Sequence, residues 1–242
     1  MSITGTAHIA NDAEALADRA AEFLLARIIA SSGIFRLVLT GGATPRLLYR
    51  KLALASYASQ IPWSRVELFW GDERCVSWDH PDSNFRMARE TLLSNSAVAP
   101  RGIYAIPTDT TPADGAARYE TTLKEYYGAS TINPERPLFD CVLLGLGGDG
   151  HIASLLPSQP VLDEKAHWVS AVPQGRDEPR ITLTYPALES SRVTVFLATG
   201  SQKAEAVERV RAGDTNLPGG RLKPRGETVW FLDKAAATPL SP

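Results

Sequence analysis

The chain has few of the features that mark secreted or membrane-spanning proteins. Its two cysteines, Cys75 and Cys141, are far apart and form no CxxC pair, and free cysteines usually behave as small buried hydrophobes. Nothing therefore indicates an oxidising compartment. The N-terminal segment lacks the basic start of a signal peptide and is interrupted by Asp12, Glu14 and Asp18. No apolar run approaches the length of a membrane span, so we expect a cytoplasmic protein.

The chain also lacks a large excess of either charge and the common hydrolase motifs. The net charge is −2, and basic and acidic residues are interspersed, so there is no basic stripe for a nucleic-acid partner. There is no GxSxG turn of the serine hydrolases. The four histidines are scattered and form no HExxH motif. We therefore expect no zinc site and no nucleic-acid partner.

What the sequence does contain is an alternation of compact apolar runs with amphipathic segments. Strands are expected at 35–40, 66–70, 139–146, 167–172, 181–184, 193–198 and 229–232, and helices at 16–28, after Pro45, at 86–93, from Thr111 and at 201–211. Short connections between such elements predict an α/β fold, with a mainly parallel, open, Rossmann-like sheet and helices on both faces. We expect residues 1–242 to form one domain.

Three of the expected strands end in unusual loops. In open parallel sheets, ligands bind beyond the carboxyl ends of the strands. The loops GGATP, GDER and GGDGH should therefore meet at one edge of the sheet and form the functional site.

The first loop, TGGATP at residues 40–45, joins a strand to a helix. Paired glycines let backbone N–H groups approach an anion, and the start of a helix favours negative charge. The GxxxxGK[ST] spacing of a P-loop is absent. By itself the segment fits either a phosphate site or a plain tight turn.

The second loop, GLGGDGH at residues 145–151, contains the GxGxxG pattern of dinucleotide-binding proteins. Asp149 would repel a pyrophosphate inside that turn, and no acid follows at the distance that ribose binding needs. A histidine at the mouth of a turn can act as a base near neutral pH, and a carboxylate can fix its tautomer. His151 and Asp149 fit that description; the alternative is a structural histidine beside a capping aspartate.

The third loop carries Asp72, Glu73 and Arg74, with Asn84 downstream. Two acids and an arginine at a strand end can orient hydroxyl groups and a carbonyl group. A charged loop is also often no more than solvated surface, and the residues alone do not separate these interpretations.

Taken together, the three loops resemble the 6-phosphogluconolactonases, within the superfamily that includes glucosamine-6-phosphate deaminase. TGGATP is similar to that family's SGGSTP, VELFWGDER and its downstream DSN to its DER segment, and LGLGGDGHIASLLP to its GxGxDGHTASLFP signature. The resemblance covers essentially the whole chain. Ala43 replaces a hydroxyl residue of the family pattern and Ile152 replaces a threonine, and the first change removes one expected hydrogen bond to phosphate.

The resemblance implies a function and a set of site residues. The function is hydrolysis of 6-phospho-D-glucono-1,5-lactone to 6-phospho-D-gluconate, the second step of the oxidative pentose phosphate pathway. The residues implied to hold the phosphate are Gly41, Gly42, Ala43, Thr44, Arg180 and Lys203. Those implied in the chemistry are His151, Asp149, Arg74 and Asp72, and those implied to complete the pocket are Glu73, Asn84, Gly147 and Gly148.

The implied mechanism uses water and protein groups alone. His151, oriented by a carboxylate of which Asp149 is the nearest, takes a proton from the water that attacks the lactone carbonyl. Arg74 or loop amides stabilise the oxyanion, and His151 returns the proton to the departing ring oxygen.

Two alternatives remain at this stage. The first is an amino-sugar-phosphate deaminase, but Leu156 stands where those enzymes carry a glutamate that assists ring opening, and an apolar side chain transfers no proton. The second is a non-catalytic sugar-phosphate sensor. Such sensors are usually fused to a DNA-reading element, and none precedes Ile34 in this sequence.

Overall fold

A seven-stranded parallel sheet organises the protein, as seen in a computed structural model that describes residues 5–238. Within those residues the strands are β1 (Thr6–Ala10), β2 (Phe35–Leu39), β3 (Val66–Trp70), β4 (Asp72–Arg74), β5 (Gly102–Tyr104), β6 (Phe139–Gly145), β7 (Val169–Val172), β8 (Arg180–Leu183), β9 (Ser191–Ala198) and β10 (Glu227–Asp233). The expected mainly parallel α/β sheet is confirmed.

The helices fill most of the connections between the strands. The described α-helices are α1 (Ala13–Ala30), α2 (Ala43–Leu52), α3 (Ala55–Ala58), α4 (Asn84–Ala88), α5 (Pro112–Tyr127), α6 (Tyr185–Leu188), α7 (Ala204–Arg211), α8 (Pro218–Arg221) and α9 (Lys234–Ala237). Short 3₁₀ turns occur at Trp63–Arg65, Pro160–Asp163 and Ser201–Lys203, and a π turn at Arg89–Leu93 continues α4.

Helix α5 illustrates how local sequence fixes these elements. The Thr111 side chain accepts a hydrogen bond from Asp114 N at 3.2 Å. Pro112 occupies the first turn, where a backbone N–H would have no partner within the helix, so proline costs no hydrogen bond there. Gly128 ends the helix with a φ of 73°, a left-handed conformation that glycine adopts without strain. The expected helix start at Thr111 is confirmed.

The strand order is β1-β10-β9-β6-β2-β3-β5. From β2 the chain builds outward through β3 to β5, then returns to place β6 on the other side of β2 and builds outward again through β9 and β10. The direction of winding thus reverses between β2 and β6. A crevice opens at such a switch point, beyond the carboxyl ends of the two strands.

Helices cover both faces of the sheet. Consecutive side chains of a strand point to opposite faces, and Trp230 and Phe231 are consecutive in β10. Phe231 packs edge-on against Phe23 of α1, with ring centroids 5.5 Å apart. The Trp230 ring lies 6.0 Å from the guanidinium carbon of Arg211 in α7. Helices α1 and α7 therefore lie on opposite sides of β10.

A second, antiparallel sheet of order β4-β8-β7 lies beside the main one. The expectation that the whole segment after β3 is a loop is wrong, because Asp72–Arg74 forms strand β4. This register places Arg74 directly opposite Arg180 and Asp72 opposite Thr182. The small sheet thus brings the DER segment next to a residue more than one hundred positions away in the chain.

The sequence analysis missed two further strands, β1 and β5. Both are edge strands of the main sheet, short and partly exposed, so neither has the continuous apolar run of β3 or β6. The expectation that residues 1–242 form one domain stays a prediction, and both ends of that range lie outside the described residues. Among the described residues, no helix is long and apolar enough to cross a membrane.

Candidate active site

A cavity of about 290 Å³ opens at the switch point between β2 and β6. Its lining brings together the three loops that the sequence analysis expected to meet: residues 40–45 after β2, Asp72, Arg74 and Asn84 from the DER region, and Gly145, Leu146, Gly147 and His151 after β6. Arg180, Thr199, Gln202 and Lys203 complete much of the remaining wall.

The glycine loop after β2 forms one side of the cavity. Gly42 has a φ of 112° and precedes α2, and no side chain caps the start of this helix. A Cβ on Gly41 would lie 2.1 Å from Asn84 Oδ1, so only glycine fits there. The Thr44 and Thr199 hydroxyl oxygens are 2.8 Å apart. The loop thus exposes backbone N–H groups and hydroxyls at a helix start, an arrangement that suits an anion.

Three cations, Arg74, Arg180 and Lys203, line the same cavity. Among the described residues, the buried Nε atoms of both arginines have no hydrogen-bond partner. Burial and the neighbouring Arg74 lower the pKa of Arg180. Within residues 5–238, neither Arg180 nor Lys203 forms an ion pair with a carboxylate. All three cations are half-buried, and a bound anion would compensate part of the cost of burying their charge, so this wall suits an anionic group.

The loop after β6 places an imidazole beside a carboxylate. His151 Nδ1 lies 2.5 Å from Asp149 Oδ1. This hydrogen bond, with a smaller contribution from Arg176, holds the pKa of Asp149 well below its usual range, so Asp149 is ionised at neutral pH. A Cβ on Gly147 would lie 2.0 Å from His151 Nδ1, so the turn needs glycine for the ring to fit.

The other oxygen of Asp149 binds a residue that sequence reasoning did not single out. Arg176 Nη2 donates to Asp149 Oδ2 at 2.6 Å. Arg176 lies in the exposed connection between β7 and β8, among other polar residues. No local pattern distinguishes it, and its relation to Asp149 depends entirely on the fold.

Asp72 lies at the floor of the cavity and is only 5% exposed. Its Oδ2 accepts a hydrogen bond from Ser154 Oγ at 2.6 Å, and its main-chain oxygen accepts one from Asn84 Nδ2 at 3.0 Å. Asp72 and Asn84 therefore hold the DER region against the glycine loop, and both remain in contact with the cavity.

The structure places Glu73 differently from the expectation that it faces the pocket. It is 1% exposed and is not among the lining residues described. Its Oε1 accepts from the backbone N–H groups of Arg74 (2.8 Å) and Asn84 (2.7 Å), and its Oε2 from Phe85 N (2.7 Å) and Ser83 Oγ (3.1 Å). A strand alternates its side chains, so Glu73 points away from the face that carries Asp72 and Arg74.

Two further expectations concern Gly148, as part of the pocket, and Leu156, at the position of the deaminases' glutamate. Gly148 is exposed and lies outside the described lining of the cavity, with Gln202 O 3.2 Å from where a Cβ would be. Leu156 is 1% exposed and belongs to the hydrophobic core. No proton-transferring group therefore stands at the position where the deaminases carry one.

Neither cysteine suits nucleophilic chemistry. Cys141 is buried in β6, and burial raises the pKa of Cys75 to about 11, so both thiols stay protonated at neutral pH. In the part of the chain that the structure describes, no three His, Cys, Asp or Glu side chains are grouped closely enough to hold a metal ion.

The buried contacts of Glu73 predict a structural role for this side chain. Replacing Glu73 with Ala leaves several buried donors without an acceptor, so the free energy of unfolding should fall by about 3 kcal/mol. Urea unfolding followed by circular dichroism measures this. The control is Glu90→Ala, which removes an exposed glutamate from the neighbouring π turn and should change stability little. Equal stability of the Glu73→Ala and wild-type proteins would contradict the assignment.

The chain is similar to known proteins over nearly its whole length. Residues 11–230 match the model of the glucosamine-6-phosphate isomerases/6-phosphogluconolactonase family. A 6-phosphogluconolactonase of Nostoc sp. is 37% identical over 98% of this chain and 98% of its own length, and one of Synechocystis sp. is 37% identical over 90% of each. The structure of 6-phosphogluconolactonase from Trypanosoma cruzi superposes with a TM-score of 0.84, 25% identity and coverage of 100% of this chain and 99% of that one. The chain therefore belongs to the family of glucosamine-6-phosphate isomerases and 6-phosphogluconolactonases.

Proposed function

We propose that this protein hydrolyses 6-phospho-D-glucono-1,5-lactone to 6-phospho-D-gluconate, a reaction of the oxidative pentose phosphate pathway. The observation that supports this best is one cavity that combines two kinds of group. Its lining includes an imidazole that is hydrogen-bonded to a carboxylate, and a glycine loop with two cations, Arg180 and Lys203, that form no ion pair within residues 5–238. The relatives named 6-phosphogluconolactonase align over nearly the full length of the chain.

The 6-phosphate binds at the glycine loop. The backbone N–H groups of residues 41–44 and the hydroxyl of Thr44 approach its oxygens, and Arg180 and Lys203 neutralise its charge. Ala43 supplies no hydroxyl here, but Thr199 Oγ1 lies 2.8 Å from Thr44 Oγ1 on the same wall. Thr199 thus adds a second hydroxyl beside that of Thr44.

The lactone carbonyl then lies near His151. Because Asp149 accepts at Nδ1, it favours the tautomer that carries the proton there, which leaves Nε2 free to act as a base. Nε2 takes a proton from water as the water oxygen bonds to C1. The C1–O5 bond breaks when the tetrahedral intermediate collapses, and the proton passes from His151 to O5. The product is the open-chain acid.

The oxyanion of that intermediate needs a donor. The Gly147 N–H already donates to the His151 carbonyl at 2.8 Å, so this amide is engaged in the turn. Arg74 lines the cavity and its guanidinium contacts the main-chain oxygen of Asp82, while its buried Nε has no partner. We therefore assign oxyanion stabilisation to Arg74 rather than to the amide of Gly147.

The rival functions fit this site less well. Deamination with isomerisation needs ring opening and proton movement between adjacent carbons, and hence a second placed acid. Leu156 supplies none, and the Asp72 carboxylate is already bound by Ser154. A non-catalytic sensor has no use for an imidazole whose tautomer a carboxylate fixes. We also propose that the reaction needs no cofactor or obligate protein partner and takes place in the cytoplasm.

Replacing His151 with Ala tests the proposed chemistry. Loss of the general base should lower kcat by about 10²–10⁴-fold with little change in KM. Activity of the wild type should also fall on acidification, because the imidazole becomes protonated. The assay measures acid release from 6-phospho-D-glucono-1,5-lactone in a pH-stat, corrected for spontaneous opening. The control is His167→Ala, since His167 also lies near a carboxylate, Glu164, at 3.1 Å but is exposed and outside the cavity lining. A near-normal kcat in His151→Ala would remove this residue from the mechanism.

Replacing Arg180 with Ala tests the assignment of the phosphate. A charge-assisted hydrogen bond is worth about 1.5–3 kcal/mol, so kcat/KM for the phosphorylated lactone should fall about ten- to a hundredfold. The unphosphorylated glucono-1,5-lactone should be a poor substrate of the wild type and nearly indifferent to the change. Equal losses on the two lactones would place Arg180 elsewhere in the site.

A further inference from the structure

We propose that Arg176 is a positioning residue of the hydrolytic centre, which acts on His151 through Asp149 and favours the neutral imidazole. This inference rests on the proposed function for its meaning in catalysis. The electrostatic interaction among Arg176, Asp149 and His151 does not depend on which substrate binds.

The three groups form a short chain of contacts. One oxygen of the Asp149 carboxylate lies 2.5 Å from His151 Nδ1, and the other accepts from Arg176 Nη2 at 2.6 Å. The same Nη2 atom is 3.5 Å from His151 Nδ1. The carboxylate therefore bridges a permanent cation and an imidazole that can become one.

The connection between β7 and β8 places the arginine there. Gly175 has a φ of 97°, and a Cβ at this residue would lie 2.9 Å from Gln159 Nε2 and 3.2 Å from Leu156 Cδ1. The backbone thus packs closely against the segment that follows His151. Arg176 Nη1 donates to Gly175 O at 2.8 Å, which orients the guanidinium toward Asp149.

Arg176 is not among the residues described as lining the cavity, and its shorter contact is with Asp149 rather than with His151. Other charged groups line the same cavity as His151 or lie on the Arg176 loop. Those on β4, on β8, before α7 and on the Arg176 loop are Asp72, Arg74, Arg180, Lys203, Asp177 and Glu178. Within residues 5–238, none of these six forms a hydrogen bond with His151, whereas Asp149 does.

The sign of the effect follows from electrostatics. A carboxylate alone stabilises the imidazolium and so favours protonation of His151. A guanidinium 2.6 Å from the same carboxylate offsets that attraction, and its direct repulsion of the imidazolium, across the longer 3.5 Å contact, adds the smaller part of the effect. Arg176 therefore keeps His151 available as a base at lower pH, while Asp149 still fixes the ring. Without Arg176, protonation becomes easier and the acid limb of the rate profile moves to higher pH.

The experiment is a ¹H–¹³C NMR titration of the histidine side chains in the ligand-free protein. Comparison with His151→Gln identifies the His151 signals among those of the four histidines. In Arg176→Gln the titration midpoint of His151 should rise by about 0.5–1 pH unit. This shift is small for the removal of a neighbouring charge, because solvent screens charges at a partly exposed site. Arg176→Lys, which keeps the charge, should restore much of the difference. An unchanged midpoint in Arg176→Gln would overturn the proposal.

A double variant tests the route through Asp149. In an Asp149→Asn background, Arg176→Gln should move the midpoint by less than half as much as it does in the wild type. An undiminished shift would show that Arg176 acts on His151 directly and would overturn the positioning role. The control is Arg192→Ala, which also removes a cation paired with an aspartate, Asp140. Arg192 lies at the start of β9, whereas the cavity lies beyond the carboxyl ends of the strands. This variant should leave the His151 titration unchanged.

Kinetics supply the functional readout. In Arg176→Gln, kcat for 6-phospho-D-glucono-1,5-lactone should fall more at pH 6 than at pH 8, with KM nearly constant. A uniform loss at both pH values would indicate a merely structural role and would contradict the proposal. If the wild type lacks lactonase activity, the proposed function fails while the NMR titration still decides the relation between Arg176 and His151.

Discussion

The site depends on one constraint, the reversal of winding between β2 and β6. Because the chain leaves this point in opposite directions, the loops that follow the two strands border one crevice. Close packing at both loops requires glycine. Gly41 leaves no space for a Cβ beside Asn84, and Gly147 leaves none beside the His151 ring. The architecture therefore sets both the position of the crevice and the residues that can border it.

Two groups of charged side chains serve that crevice. Arg180 and Lys203 line it without carboxylate partners among residues 5–238, an arrangement that becomes favourable when an anion binds. Asp149 is shared between Arg176 and His151, and His151 lines the crevice. A phosphorylated lactone carries both a charged group and a reactive carbonyl, so we propose that the first group of side chains binds the phosphate and the second acts on the carbonyl.

The parts of the site that the sequence predicts are those encoded locally. The glycine loop at residues 40–45 and the turn that ends in His151 are recognisable because their residue types must follow a strand in a fixed order. The start of α5 is predictable for the same reason, since Thr111 and Pro112 form a local cap. The strand β4 was missed because it is three residues long, polar, and paired with the distant strand β8.

Roles that depend on tertiary contacts cannot be inferred in this way. Asp72 and Glu73 are adjacent and chemically alike, yet one borders the cavity and the other supports the backbone of α4. Only the pairing of β4 decides which side each carboxylate faces. Arg176 and Thr199 likewise have no distinguishing local pattern, and they gain their roles from contacts with Asp149 and Thr44.

We propose that one base, one oxyanion site and a phosphate-binding loop make this protein a lactonase and not a deaminase. The direct measurement is a parallel assay of the unmodified protein on 6-phospho-D-glucono-1,5-lactone and on glucosamine 6-phosphate. We predict lactone hydrolysis well above spontaneous opening and no release of ammonia. Steady ammonia production without a lactonase rate above background would contradict it.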